Sequence, residues 1–260
     1  MNLKQRLDYH YNVFDKSQIS PDPLQLLHLF NDELDIEVIG IIASVFAYGN
    51  VKQIISTLNK ILFITGNKPY KFVKDFNNKN YKTRLKNLKH RFYTEEDIII
   101  FFSLLCDIYK EFGSLKNLFM NNYLPGDENI KKSLSTFSNQ FIIRAEDKSL
   151  NGKINPGVKF MFPSPESGSA CKRMNLFLRW MVRKDELDFG LWDEIPPSKL
   201  VIPVDTHVAR VCKTLKLTMK KNVNWSMAEE ITNNLKKFDL SDPVKYDFAI
   251  CHIGMRKLSF

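Results

Sequence analysis

Apolar residues recur along this chain at intervals of three and four, and there is no sustained alternation at an interval of two. That pattern predicts helices over Leu3–Phe14, Ile36–Ala47, Val51–Phe63 and Asn129–Arg144. Others begin at Thr94, running toward Phe112, at Lys172, at Asp205, at Ser226 and at Ser241-Asp-Pro243. Thr94-Glu-Glu-Asp97 and Ser226-Met-Ala-Glu229 have the spacing of capping boxes, in which a hydroxyl and a carboxylate satisfy each other's backbone N–H groups. Leu24–Phe30 is a short apolar segment, and Lys148–Pro165, rich in Gly, Pro and Asn, is expected to be a loop with one apolar patch at Val158–Phe162. The fold class predicted is all-α, with roughly nine or ten helices.

Composition narrows the picture only in part. A chain of 260 residues, 44% apolar, can bury a substantial core as one large domain or two small ones. No apolar run approaches a membrane span, and Met1–Asp8 lacks the apolar core of a secretory signal, so a cytoplasmic protein with no membrane partner is expected. Cys106, Cys171, Cys212 and Cys251 lie far apart, in neither a disulfide framework nor a metal-ligand spacing, and the five histidines add none. His252 is expected in the core or at a helix end, and no metal and no cofactor are expected. The net charge of +9 favours a polyanionic partner such as nucleic acid, although an AT-rich genome also raises Lys, Asn and Ile together. Lys68–Tyr93 concentrates the charge: nine Lys/Arg stand against a single acid, Asp75, with Tyr70, Phe72, Phe76, Tyr81, Phe92 and Tyr93 interleaved. Such a stretch suits a surface that tracks phosphates and stacks bases, and equally a solvated helical face.

Three short segments carry candidate chemistry. Val201-Ile-Pro-Val-Asp-Thr-His-Val-Ala-Arg-Val211 becomes helical at Asp205, which is well placed to cap that helix. Val208, Val211, Cys212 and Leu215 form its apolar face. His207 fits a phosphate contact or a local first-turn hydrogen bond. Gly168-Ser-Ala-Cys-Lys172 is a turn that opens a helix whose apolar face is Met174, Phe177, Leu178, Met181 and Val182. Tyr48-Gly-Asn50 interrupts two apolar helices and is either a binding loop or an ordinary helix junction.

The order Pro203-Val-Asp-Thr-His-Val208 resembles the active-site aspartate segment of the helix-hairpin-helix DNA glycosylases, the endonuclease III and 8-oxoguanine glycosylase superfamily. Gly168–Lys172 resembles that superfamily's Gly-x-Gly-x-Lys hairpin, with Ala170 in place of the second glycine. The Lys184–Ser198 insertion lengthens the path from lysine to aspartate, which is similar to the archaeal 8-oxoguanine branch. The likeness covers roughly Ile36–Phe63 and Gly168–Leu217, and the whole pattern also looks like a bacterial family known only as a domain of unknown function. What the resemblance implies is a two-subdomain glycosylase-like fold with a degenerate hairpin. One subdomain would be built from about residues 40–150. The other would come from about 1–39 with 151–260 and carry the hairpin and Asp205.

It further implies base excision with an abasic-site lyase step on damaged double-stranded DNA, by a monomer, with oxidised purines as the class to test first. Lys172 would be the nucleophile and Asp205 the carboxylate that stabilises positive charge on the sugar. A lysine must first lose its proton, which a helix N-terminus favours and a neighbouring carboxylate opposes. Tyr48, Asn50, Gly168, Ser169, Ala170, Arg173 and His207 would contact DNA, Tyr48 as a wedge in the gap left by an extruded base. The iron–sulfur cluster that some relatives hold in a four-cysteine loop is not expected. Two other readings stay open: a DNA- or RNA-binding module that keeps the fold without the chemistry, and a helical interaction protein.

Overall fold

Side-chain caps set the helix boundaries in a computed structural model that describes residues 1–13, 16–76, 83–149 and 152–256. Among these residues the regular structure is helical, with isolated bridges only at His90–Tyr93 and Lys184–Phe189. No helix among them is long and apolar enough to cross a membrane. The end of the first expected helix at Phe14, and Lys79, Tyr81 and Lys82 of the basic stretch, lie outside the described residues, as does the side chain of His252. The chain divides into two compact units: residues 1–20, 124–132 and 164–260 form one, residues 21–123 and 133–163 the other. The 21–39 segment, expected with the terminal subdomain, belongs to the middle unit because Pro23–Leu29 packs on the helix that follows it.

In the middle unit, Asp22 caps the 3-10 helix Pro23–Leu29, and Asp32 caps α2 (Glu33–Phe46) by accepting from Leu34 and Asp35 N–H. (α1, Leu3–Val13, belongs to the other unit.) Each cap of this kind stabilises its helix by about 1 kcal/mol. Every residue of α2 from Ile36 to Phe46 is buried, Glu37 and Ser44 included, which suits its mostly apolar sequence better than a one-sided helix. Asn50 caps α3 (Val51–Thr65), which ends at Gly66 in the left-handed region. After α4 (Pro69–Lys74), the predicted Thr94–Asp97 capping box opens α5 (Glu95–Phe112). Phe72 and Phe76 of the basic stretch turn inward onto Phe102 of α5, so its aromatics are core, and only Phe92 among those described is exposed. α6 (Leu115–Met120) is capped by Ser114, and α7 (Lys131–Asp147) is one amphipathic run.

The expected loop Lys148–Pro165 is corrected: it contains α8 (Pro156–Met161), started by a proline at its first turn. Buried Val158 and Met161 hold α8 down, and Phe162 stacks on Phe141 with ring centroids 3.9 Å apart. Gly157 is obligatory there, because a Cβ would collide with the buried carboxylate of Asp97.

In the terminal unit the centre is α9 (Lys172–Val182), buried from Arg173 to Val182. The unit's other helices are α1, α10 (Thr206–Thr214), α11 (Trp225–Lys236) and α12 (Asp247–Arg256), and α12 packs on both α10 and α1. The second capping box is corrected: Asn224 caps α11 by accepting from Met227 N–H, two residues earlier than Ser226. The last helix begins with a 3-10 turn, Pro243–Tyr246, before α12.

Candidate active site

Two helix starts build the candidate site. The first is the turn before α9. Ser164 caps a 3-10 turn, Pro165–Ser167, that ends at Gly168 with φ 80°, a left-handed backbone that glycine adopts without strain. The Gly168 carbonyl accepts from Trp225 N–H at 3.1 Å, tying the turn to α11. The other left-handed residue in the turn is Cys171, with φ 48°. Ala170, at the position of the second family-type glycine, has no positive φ and is buried at 7% exposure. Here the turn places its strain one residue later than a Gly-x-Gly loop would. Ser169 Oγ accepts from Cys171 N–H at 3.1 Å, and Asn175 Nδ2 donates to the Ala170 carbonyl at 3.1 Å. Burial pushes the Cys171 thiol up to about 12, and the residue is 1% exposed.

The second is the start of α10. Val201–Val204 is a buried approach, pinned where Ile202 N–H donates to Thr232 Oγ1 at 3.1 Å. Asp205 then splits its carboxylate between two tasks. Oδ1 accepts from His207 and Val208 N–H, each at 2.9 Å, and so caps α10. Oδ2 faces Lys172 Nζ at 4.0 Å. Lys172 is the first residue of α9, whose N-cap Cys171 gives no side-chain hydrogen bond. The two side chains are 26% and 35% exposed, and an ion pair that open contributes at most about 1 kcal/mol. Stability does not explain the juxtaposition. An amine and a carboxylate held beyond hydrogen-bond distance, both reachable from solvent, can act on a reactant brought against them.

The sequence pattern of one protein family, described as protein of unknown function (DUF2400), matches residues 22–256, which contain both helix starts. The chain belongs to that family. No curated protein and no solved structure matches it.

Behind the pair, this DUF2400 chain carries a buried ionic network that its sequence pattern hides. Arg179 donates to Asp188 Oδ1 at 3.1 Å and to Asp247 Oδ2 at 2.5 Å. Arg183 bonds Asp188, Asp185 and Asp242, the last with both carboxylate oxygens, at 2.9 and 3.0 Å from Nε. Arg179, Arg183, Asp188 and Asp247 are each 3% exposed. Burial opposes the charge on Arg183, but Asp188, Asp242 and Asp185 outweigh it and hold the guanidinium firmly protonated. Burial also pushes the Asp247 carboxyl up, against Arg179 and Lys172, while Asp205 adds to the rise. Asp247 thus belongs electrostatically to the candidate site, although its sequence neighbourhood points only to a helix start. The i, i+4 pair Arg179 and Arg183 beside the apolar run Leu176–Leu178 and Trp180–Val182 was the available signal.

The remaining expected site residues divide. Gly168 and His207 are exposed, and Ser169 is half-buried. Arg173 and Ala170 are buried, at 6% and 7% exposure. Tyr48 and Asn50, in the middle unit, form a different kind of junction. Asn50 is exposed, with its Oδ1 occupied by the N–H of Lys52. The Tyr48 ring is half-buried among His90, Phe92, Tyr93 and Phe160, with centroids 4.9–5.3 Å away, and its hydroxyl donates to the His90 carbonyl at 2.8 Å. The Arg91 guanidinium lies over the ring. Among the described residues no group of three or more His, Cys, Asp or Glu is placed to hold a metal ion.

Proposed function

We propose that this protein excises damaged bases from double-stranded DNA and cleaves the abasic site that results, with Lys172 as nucleophile and Asp205 as its electrostatic partner. The observation that supports the reading most is the 4.0 Å approach of Lys172 Nζ to Asp205 Oδ2, each at the start of its own helix and each partly open to solvent. Loss of the base leaves positive charge on the deoxyribose, which the Asp205 carboxylate stabilises. The neutral Lys172 amine bonds to C1′ as the glycosidic C–N bond breaks, and the departing base carries off the electron pair and takes up a proton. The amine loses its proton and the sugar ring opens, giving a Schiff base, from which loss of a C2′ proton expels the 3′ phosphate. His207, exposed on the first turn of α10, is the proposed contact to a neighbouring phosphate. Oxidised purines are the substrate class to test first.

A second reading, a DNA-binding module without chemistry, draws on the short element before the turn: Pro165–Ser167 is a single 3-10 turn where a hairpin would have a full helix. Borohydride reduction in the presence of abasic-site duplex separates the two. The glycosylase–lyase reading expects a covalent adduct with the wild type and none with Lys172→Gln. Salt-dependent duplex binding with no adduct selects the second reading, and neither binding nor adduct removes both.

A further inference from the structure

The strongest charged surface near the candidate site is one that no motif marks. From Thr206 to Ala228 the chain has five cationic side chains, Arg210, Lys213, Lys216, Lys220 and Lys221, and no acidic one. Arg210, Lys213, Lys216 and Lys221 are exposed and Lys220 is half-buried. Arg210 and Lys213 stand three apart on the outer side of α10, while Val208 and Cys212 of its inner side are buried. Lys216 has φ 57°, which ends the helix and turns the chain. Lys213 Nζ donates to the Lys221 carbonyl at 3.0 Å, drawing the loop back against the helix, so that helix and loop present their charges together. The two acids that follow are turned to other partners: Glu229 accepts from Asn129, and Glu230 from Thr218.

We infer that this face of α10 and the loop after it is a docking strip for the sugar–phosphate backbone of duplex DNA. The strip begins one turn after Asp205, and at 1.5 Å per residue α10 carries it about 12 Å from the site. Phosphates along one strand recur about every 3.4 Å of helix axis, so strip and loop span several of them. Point charges on flexible stems, with no acid among them, suit a uniform polyanion. A bilayer surface is a poorer fit, since interfacial helices insert an apolar face and that of α10 is used in the unit's own core. A protein partner is poorer still, because interface hot spots gather packed aromatics with Arg, and here Arg210 has no exposed aromatic beside it, only Met219 and Val223 among exposed apolar side chains. The choice of DNA rests on the proposed function; the strip itself does not depend on Lys172 being a nucleophile.

The test is the salt dependence of binding to a short fluorescent DNA duplex by the full chain. Each phosphate that is no longer neutralised lowers the slope of log K against log salt by about 0.9. The fourfold variant Arg210→Gln, Lys213→Gln, Lys216→Gln, Lys221→Gln is expected to lower that slope by about 2–4 and the affinity at low salt at least tenfold, with Tm lowered only by loss of the Lys213–Lys221 bond. Neutralising Lys68, Arg84, Lys86 and Lys89 is expected to move the slope by less than about 1. Lys216→Glu alone provides the same sign in a protein altered at one exposed position. An unchanged slope in the α10 variants overturns the strip, as does absence of duplex binding, or binding to phosphatidylserine vesicles without binding to DNA. Borohydride trapping on the same proteins keeps the two ideas apart. A wild type that binds through the strip but forms no adduct leaves the strip standing and removes the lyase. An adduct with no slope change does the reverse.

Discussion

Tyr48-Gly-Asn50 and Pro203-Val-Asp-Thr-His207 are built alike and end differently. Each is a break between an apolar segment and a helix, and in each an Asn or Asp accepts backbone N–H groups to start that helix. At the first break the polar side-chain atoms find partners inside their own unit: Asn50 Oδ1 on Lys52, the Tyr48 hydroxyl on the His90 carbonyl. At the second, capping consumes one carboxylate oxygen, and the other faces an amine 4.0 Å away. A cap is a local event that sequence announces. Whether the capping residue keeps a second, unused capacity depends on which distant side chain the fold delivers to it, and of these two only Asp205 receives one.

That contrast gives graded expectations. The open pair needs a rigid support, so Asp188→Ala, which removes the buried carboxylate that Arg179 and Arg183 share, is expected to cost about 3–5 kcal/mol in urea unfolding. A loss under about 1 kcal/mol would mean that the network is not what holds α9. The closed junction is expected to respond in stability rather than in recognition. Tyr48→Ala should lose about 1–3 kcal/mol through its aromatic contacts and weaken binding to intact and abasic duplexes equally. Selective loss on the abasic duplex would support Tyr48 as a wedge and make the two junctions alike. Tyr48→Phe, which removes only the bond to the His90 carbonyl, is expected to cost about 1 kcal/mol.

The smallest effect concerns pH. Burial holds the His90 imidazole below its ordinary value, ahead of the opposing hydrogen bonds to the Tyr48 and Phe46 backbone. The unfolded chain therefore takes up a proton first. The stability due to neutral His90 is present above about pH 6.5 and is lost as pH falls toward the depressed folded value. The unfolding free-energy gap between wild type and His90→Gln should accordingly narrow between about pH 7 and pH 5. A gap that widens would contradict the burial of a neutral ring.

Much of the fold was legible because it is made of local rules. Thr94 and Asp205 cap where the sequence predicts, and the mostly apolar run in α2 declares a buried helix. α8 was hidden because Pro156-Gly157 looks like a breaker, while in the structure the proline starts the helix and the glycine makes room for Asp97. Of the site, Lys172 and Asp205 were legible through the order of residues around them. The burial of Arg173 and Ala170 was not legible, because position in a motif does not reveal burial. Asp247, Arg179 and Asp188 were missed because their pairing joins residues as far apart as 179 and 247. In the basic stretch Lys68–Tyr93 the burial of Phe72, Phe76 and Tyr93 was hidden for a related reason: interleaving cannot tell an aromatic that stacks outward from one that enters the core.

The division of labour within the Asp205 carboxylate is open to one direct measurement. Asp205→Asn keeps an oxygen to accept from His207 and Val208 N–H and removes the negative charge facing Lys172. Thermal unfolding and base excision are measured on the same preparation, with oxidised-purine duplex as the substrate. The expected result is stability within about 1 kcal/mol of wild type together with excision lowered at least a hundredfold. Full excision by Asp205→Asn, with stability retained, would contradict it and leave Asp205 a helix cap alone.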